Sequence, residues 1–357
     1  GAFKETNEKV TDVDYLQPGS TNPIFWEADL VRKGDIDAIF GEAYFDLSEK
    51  TSLTMGLRKY DQTMNLKASD GYYGSYAYGI NSLDFNSSET GSIPKLSISH
   101  DISDDIMVYG SYSEGFRPSG VNRPRPSQAG LIPETYDPDY LDSYEIGVKS
   151  SLKDGKLILN GALYKMDWTD YQTSTYDTDI TSVAYTENVG NAEINGMELN
   201  LMYAISDTAD MTLYVNKMDP TLSEDYYYTS GELGADAGNR LAYMPELTYY
   251  LSFDKDFVFM GKPAYMNIDY SHTGERYTTY ENGGILLPSY SMSNLRAGID
   301  NDNSSIELYV TNLFDKDAYL SRYDDFESVG SSGYPGFGIR RTGSKPRVIG
   351  IRIRYRY

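Results

Sequence analysis

The chain closes on Val348-Ile349-Gly350-Ile351-Arg352-Ile353-Arg354-Tyr355-Arg356-Tyr357. Read as an extended strand, this stretch places Ile349, Ile351, Ile353, Tyr355 and Tyr357 on one face and Arg352, Arg354 and Arg356 on the other. Successive side chains of a strand point to opposite sides, so a period of two marks a strand with one apolar face. The same period runs upstream. Met197, Leu199, Leu201 and Tyr203 oppose Glu198 and Asn200, and Met266, Ile268 and Tyr270 oppose Asn267, Asp269 and Ser271. Ile306, Leu308 and Val310 alternate with Glu307, Tyr309 and Thr311.

Working outward from these stretches, alternation predicts strands over 36–47, 51–62, 93–100, 105–114, 141–152, 156–169, 193–205, 209–217, 246–254, 264–272, 289–300, 304–312 and 346–357, 13 in all. No segment keeps a helical period for the length of an ordinary helix. A packed sandwich alternates too, so the connections decide. Short links (48–50, 101–104, 153–155, 206–208, 255–263, 301–303) alternate with long ones (63–92, 115–140, 170–192, 218–245, 273–288, 313–345). Turns short on one rim and long on the other describe an up-and-down membrane barrel, whereas Greek-key sandwiches do not keep that rhythm. Strands of about 9–12 residues also suit a tilted membrane crossing. The short links hold turn formers such as Lys153-Asp154-Gly155 and Asn301-Asp302-Asn303.

Composition agrees. The 357 residues include 35 Tyr and 12 Phe against 2 Trp, and tyrosine suits both strands and membrane interfaces. Mean hydropathy is −0.51, and no run approaches the 18 apolar residues of a spanning helix. Transmembrane strands barely register on hydropathy, so this does not make the chain soluble. A net charge of −22 disfavours nucleic acid as a partner. With no cysteine, disulfides, thiol catalysis and cysteine-based zinc sites are excluded. The two histidines, His100 and His272, stand in no catalytic motif. The acidic groups Glu224-Asp225 and Asp324-Asp325 with Glu327 lack the ordered spacing of a calcium loop. No catalytic residue, metal site or cofactor is expected. The opening at Gly1, without a charged-then-apolar leader, reads as a processed chain or a piece of a longer one.

Several stretches resemble the C-terminal part of the β-barrel of TonB-dependent outer-membrane receptors, from about Phe40 to Tyr357. They are Phe40-Gly41-Glu42-Ala43-Tyr44-Phe45-Asp46-Leu47 with Gly56-Leu57-Arg58, then Pro94-Lys95-Leu96-Ser97. Next come Tyr109-Gly110-Ser111-Tyr112-Ser113-Glu114-Gly115-Phe116-Arg117-Pro118 and Ser143-Tyr144-Glu145-Ile146-Gly147-Val148-Lys149. Asn188-Val189-Gly190-Asn191-Ala192-Glu193-Ile194-Asn195-Gly196-Met197-Glu198, Asn312-Leu313-Phe314-Asp315-Lys316 and the arginine-tyrosine terminus complete the set. The resemblance implies an all-β, antiparallel transmembrane barrel of about 22 strands around a plug. About 13 of those strands would lie in this chain, with the plug and about nine strands outside it. If the short turns are periplasmic, residues 1–35 are expected as an external-loop segment and 36–357 as the C-terminal portion of the barrel.

The implied function is import of a scarce nutrient across the Gram-negative outer membrane, a ferric siderophore first and cobalamin or carbohydrate otherwise. The implied partners are outer-membrane lipid and lipopolysaccharide, TonB with its inner-membrane energising complex, and the barrel-assembly machinery. The rival reading is a barrel without transport: an adhesin, surface component or phage receptor. Candidate ligand residues are Arg117, Arg123 and Arg125, which would attract an anionic ferric chelate, and the loop tyrosines Tyr226, Tyr227, Tyr228, Tyr277 and Tyr280, which would stack on it. The alternative for the arginines is pairing with Glu114, Glu134, Asp137 and Asp139 to order their own loop. Ile351, Ile353, Tyr355 and Tyr357 are expected to form the assembly signal of the terminal strand.

Overall fold

The computed structural model describes residues 1–16, 19, 24–72, 79–122, 130, 132–175, 185–228, 231–301, 303–323 and 340–355. Among them, 14 strands form one antiparallel sheet in which each pairs with the next: Ala2–Leu16, Ile24–Ser48, Thr51–Tyr72, Gly79–Ser103, Ile106–Arg117, Asp139–Leu152, Leu157–Thr169, Ala192–Ser206, Ala209–Leu222, Leu247–Phe259, Lys262–Thr273, Tyr290–Asn301, Ser304–Thr311 and Val348–Tyr355. Short and long connections alternate as the sequence rhythm requires. Lys153 and Asp154 both have positive φ (56° and 58°), as do Met260 and Gly261 (54° and 76°), the backbone twist that tight hairpins favour.

Register shows which residues share a face. Leu157, Tyr203, Met211, Phe253, Ile268, Leu295, Val310 and Ile349 lie directly opposite one another across eight successive strands. The opposite face carries Asp210, Asp254, Asn267, Arg296, Tyr309 and Gly350 in another such row. One face is therefore an unbroken apolar band and the other a polar wall, the pattern of a barrel with lipid outside and water within. Polar partners tie the wall together: Arg352 to Glu307 (2.6 Å), Asn267 to Asp254 (2.8 Å) and Asn294 to Asp269 (2.7 Å).

Five tyrosines lie flat over a glycine directly across the ladder: Tyr60 over Gly91, Tyr109 over Gly147, Tyr164 over Gly196, Tyr265 over Gly298 and Tyr309 over Gly350. A Cβ added at Gly298 would meet the Tyr265 ring at 2.7 Å, so the close approach requires glycine there. The ring replaces the missing side chain, and its hydroxyl reaches on to Glu307 (2.7 Å).

The structure departs from the sequence reading in three places. Ala2–Leu16, expected inside an external-loop segment, is a strand paired along its length with Ile24–Ile39. The expected long link 63–92 is largely ladder, with pairing continued from Tyr60–Gly91 to Tyr72–Gly79. The expected link 255–263 is a turn of two residues, because the strands run to Phe259 and from Lys262. The first two share one cause, an inversion of polarity. Beyond Ile39 and Lys59 the outward face carries charged pairs, Lys4–Asp37 (3.0 Å), Lys33–Glu8 (3.6 Å) and Lys67–Asp84 (3.5 Å). The inward face there turns apolar, with Leu66 and Ala68 buried against Val121, Leu30, Leu83 and Phe85. A search for an outward apolar face stops where that face leaves the lipid.

Candidate functional site

The long connections fold back on one another at one end of the sheet, and a single carboxylate ties two of them to the end of the strand Leu157–Thr169. Asp139 is 1% exposed and begins its strand immediately after Pro138. It accepts from the Arg117 backbone N–H (3.1 Å), Arg117 Nε (2.9 Å) and Arg117 Nη2, from Trp168 Nε1 (2.9 Å) and from the Gln172 backbone N–H (3.0 Å). The Gln172 side-chain amide returns to the carbonyls of Pro118 (3.0 Å) and Asp137 (2.8 Å). Arg117 also donates to the Gln172 carbonyl (2.7 Å) and lies over the Trp168 ring at 5.0 Å. Asn122 performs a similar task, donating to Pro133 O (3.0 Å) and Thr186 O (2.7 Å) and accepting from Thr186 N–H (2.8 Å).

Beside this hub lies an apolar cap of Val189, Ala192, Ile194, Leu222, Tyr226, Ala235, Leu241 and Tyr280. Tyr226 sits at its centre, edge-on to Tyr228 (5.3 Å) and Tyr280 (5.8 Å), and its hydroxyl donates to buried Glu187. Burial first, and then the Glu187 hydrogen bond, hold this phenol protonated well above the ordinary tyrosine range.

The candidate residues thus separate. Arg117 is tied to Asp139, the loop-ordering alternative read from the sequence. Arg123 and Arg125 lie outside the described residues. Tyr226 and Tyr280 are interior to the cap and Tyr228 packs on it. Tyr277 lies under the Arg240 guanidinium at 4.8 Å, and Tyr227 is exposed. Ile351, Ile353 and Tyr355 all project from the outward face, and Tyr357 lies outside the described residues. His100 shares a hydrogen bond with Thr51 Oγ1 and His272 with Ser291 Oγ, both at 2.9 Å. Trp168, Gln172, Asn122 and Glu187 escaped the sequence reading, since nothing local marks a residue whose partners lie 11 to 64 positions away.

Below the cap, the inward wall holds a groove of about 620 Å³ whose mixed lining includes Tyr109, Lys149, Asn160, Ala162, Tyr214 and Asn216. A band that faces lipid, a polar wall and packed long connections together are the anatomy of a receptor barrel. The family comparison decides it, for residues 3–313 match the model of the TonB dependent receptor-like β-barrel. The chain belongs to this family of TonB-dependent receptor barrels. Its members are receptors and transporters of the Gram-negative outer membrane.

Among similar curated proteins, the "Ferrichrome outer membrane transporter/phage receptor" of Escherichia coli (strain K12) is 25% identical over 62% of this chain and 28% of its own length. The "Metal-pseudopaline receptor CntO" of Pseudomonas aeruginosa is 23% identical over 78% of this chain and 37% of its own length. The solved ferric yersiniabactin uptake receptor FyuA from Yersinia pestis superposes with a TM-score of 0.78 at 16% identity, covering 99% of this chain and 50% of that one. The chain therefore spans about half of that TonB-dependent receptor, and less of the curated relatives.

Proposed function

We propose that this chain is the wall and long-connection cap of an outer-membrane receptor that binds a ferric siderophore complex and imports it with energy from TonB. The observation that carries the reading is the joint one: an apolar band around a polar inner wall, crowned by connections that Asp139 and the Tyr226 cap hold in place. Support comes from relatives whose names specify ferrichrome, metal-pseudopaline and ferric pyoverdine. The cap is taken to face outward and the short turns the periplasm. The outward band then meets lipid, with lipopolysaccharide at its upper margin, and the terminal strand is what the barrel-assembly machinery reads. The role needs no catalytic group. Residues that act on TonB are sought elsewhere in the receptor, since none is assigned among these.

The test is growth of the native host on iron-chelated medium supplied with single ferric siderophores, with and without the gene. Loss of growth on one siderophore, restored by the full-length gene, supports import. Unchanged growth and uptake on every siderophore the host uses would sink it. A second reading, a docking surface for protein toxins, is favoured by one observation: a structural neighbour, FpvAI, is solved in complex with pyocin S2.

A further inference from the structure

Three asparagines in this chain stand directly before a glycine: Asn160, Asn195 and Asn282. A glycine carries no Cβ to shield its own backbone nitrogen from the side chain that precedes it. Two of the three lie inside the ladder. Gly161 is paired to Leu199 and Val148, and Gly196 to Met218 and Tyr164. A Cβ at Gly196 would meet the Tyr164 ring at 2.2 Å, so that nitrogen is covered from the side as well. Strand partners on both sides hold these two peptides extended.

The third stands apart. Asn282 lies in the turn 281–284, which Gly284 N–H closes on the Glu281 carbonyl (3.1 Å), with Gly283 at a φ of 88° in the third position. Asn282 is exposed, and nothing stands within 4 Å of where a Cβ on Gly283 would be. Among the described residues no acceptor meets the Gly283 N–H. The Asn282 side-chain carbonyl, in contrast, has a placed donor. Asn239 Nδ2 reaches Asn282 Oδ1 at 2.8 Å and is itself steadied by the Tyr280 carbonyl at 3.0 Å.

We propose that Asn282-Gly283 is a site of spontaneous modification, at which Asn282 cyclises onto the Gly283 nitrogen and opens to isoaspartate or aspartate. The Gly283 nitrogen gives its proton to hydroxide and forms a bond to Asn282 Cγ. Charge then gathers on Oδ1, where the Asn239 donor already points, as a fixed donor at a developing oxyanion does. The Cγ–Nδ2 bond breaks, the departing nitrogen takes a proton from water, and ammonia leaves behind a five-membered imide. Water adds to one of the two imide carbonyls. Breaking the bond from Gly283 N to Cγ gives aspartate. Breaking the bond from Gly283 N to the Asn282 main-chain carbonyl carbon gives isoaspartate, with one more carbon in the backbone. The sum is amide and water to acid and ammonia, with nothing oxidised or reduced. Asn282 shares the lining of a pocket of about 250 Å³ with Asn239, Arg240, Tyr277, Thr279 and Glu281, so the change adds a negative charge there. Its backbone N–H also donates to the Gly234 carbonyl (2.8 Å), a tie between two long connections that isoaspartate would lengthen.

The test is peptide mapping by mass of the full-length receptor, kept folded in neutral detergent at mildly alkaline pH for days. Conversion of amide to acid at Asn282 is expected to run about tenfold or more faster than at Asn160 or Asn195, where the ladder must open first. The Asn282 peptide is also expected to accept a labelled methyl group from an isoaspartate-specific methyltransferase, and Asn282→Gln to lose that label. Asn239→Ala, which withdraws the donor, is expected to slow conversion at Asn282 about tenfold. Unchanged slow conversion at Asn160 and Asn195 in that variant shows its ladder intact. Conversion at Asn282 no faster than at the two strand asparagines overturns the proposal. A rate at Asn282 that Asn239→Ala leaves unchanged or raises overturns the part assigned to Asn239. Neither outcome depends on the cargo the receptor carries.

Discussion

Asp139 shows how one residue orders two connections and the end of a strand. Five N–H groups converge on a carboxylate that water does not reach. Asp139→Asn removes the charge and turns one acceptor into a donor aimed at donors. The expected loss is about 2 kcal/mol of loop stability, less than for a fully buried pair because Arg117 is half exposed. Faster hydrogen exchange across 117–122 and 170–175, with the barrel ladder unchanged, is the readout; unchanged exchange there would falsify the hub. Tyr226 makes a pH statement. Its folded pKa is raised, so its contribution is complete below the unfolded value near 10 and is lost as pH climbs towards the folded one. A dye on a cysteine at Tyr227 should gain mobility above about pH 10. The gain should be smaller in Tyr226→Phe, and an equal gain in both would remove Tyr226 as the cause.

At the scale of strands, the tyrosine-over-glycine pairs lock register. Gly298→Val would put a side chain where the Tyr265 ring lies and pull its hydroxyl from Glu307. We expect a loss of about 1–3 kcal/mol in resistance to thermal unfolding, as overpacking typically gives. Adding Tyr265→Ala should recover part of it, and strictly additive losses would mean the pair is not coupled. Deleting Tyr357 should lower the yield of assembled receptor, and unchanged outer-membrane levels would end the assembly role of the terminal strand. The strand Val348–Tyr355 was legible because its apolar face, Ile349, Ile351, Ile353 and Tyr355, is exposed along its whole length. The upper parts of Thr51–Tyr72 and Gly79–Ser103 were not, because above the lipid their outward face is charged and their inward face packs on Val121. The Met260-Gly261 turn hid behind Phe257-Val258-Phe259, a run with neither alternation nor polar turn formers. The Asp139 hub was half visible: its pairing with Arg117 follows from their shared connection, but Trp168 arrives from the strand Leu157–Thr169 and Gln172 from the connection after it.

For the whole molecule, the two faces make the sharpest structural prediction. Cysteines placed at Met211, Leu213 and Val215 should react with lipid-soluble reagents, and those at Asp210, Thr212 and Tyr214 with water-soluble ones, in cells carrying the full-length receptor. A strand with no such alternation would contradict the faces read from register. The functional claim needs cargo movement. The most direct measurement is radiolabelled iron uptake from single siderophores by iron-starved cells of the native host, comparing wild type, a deletion of this gene, the complemented deletion and a strain lacking TonB. Uptake of one siderophore that vanishes in the deletion, returns on complementation and is absent without TonB is the expected result. Uptake of every siderophore at wild-type rate in the deletion would contradict it.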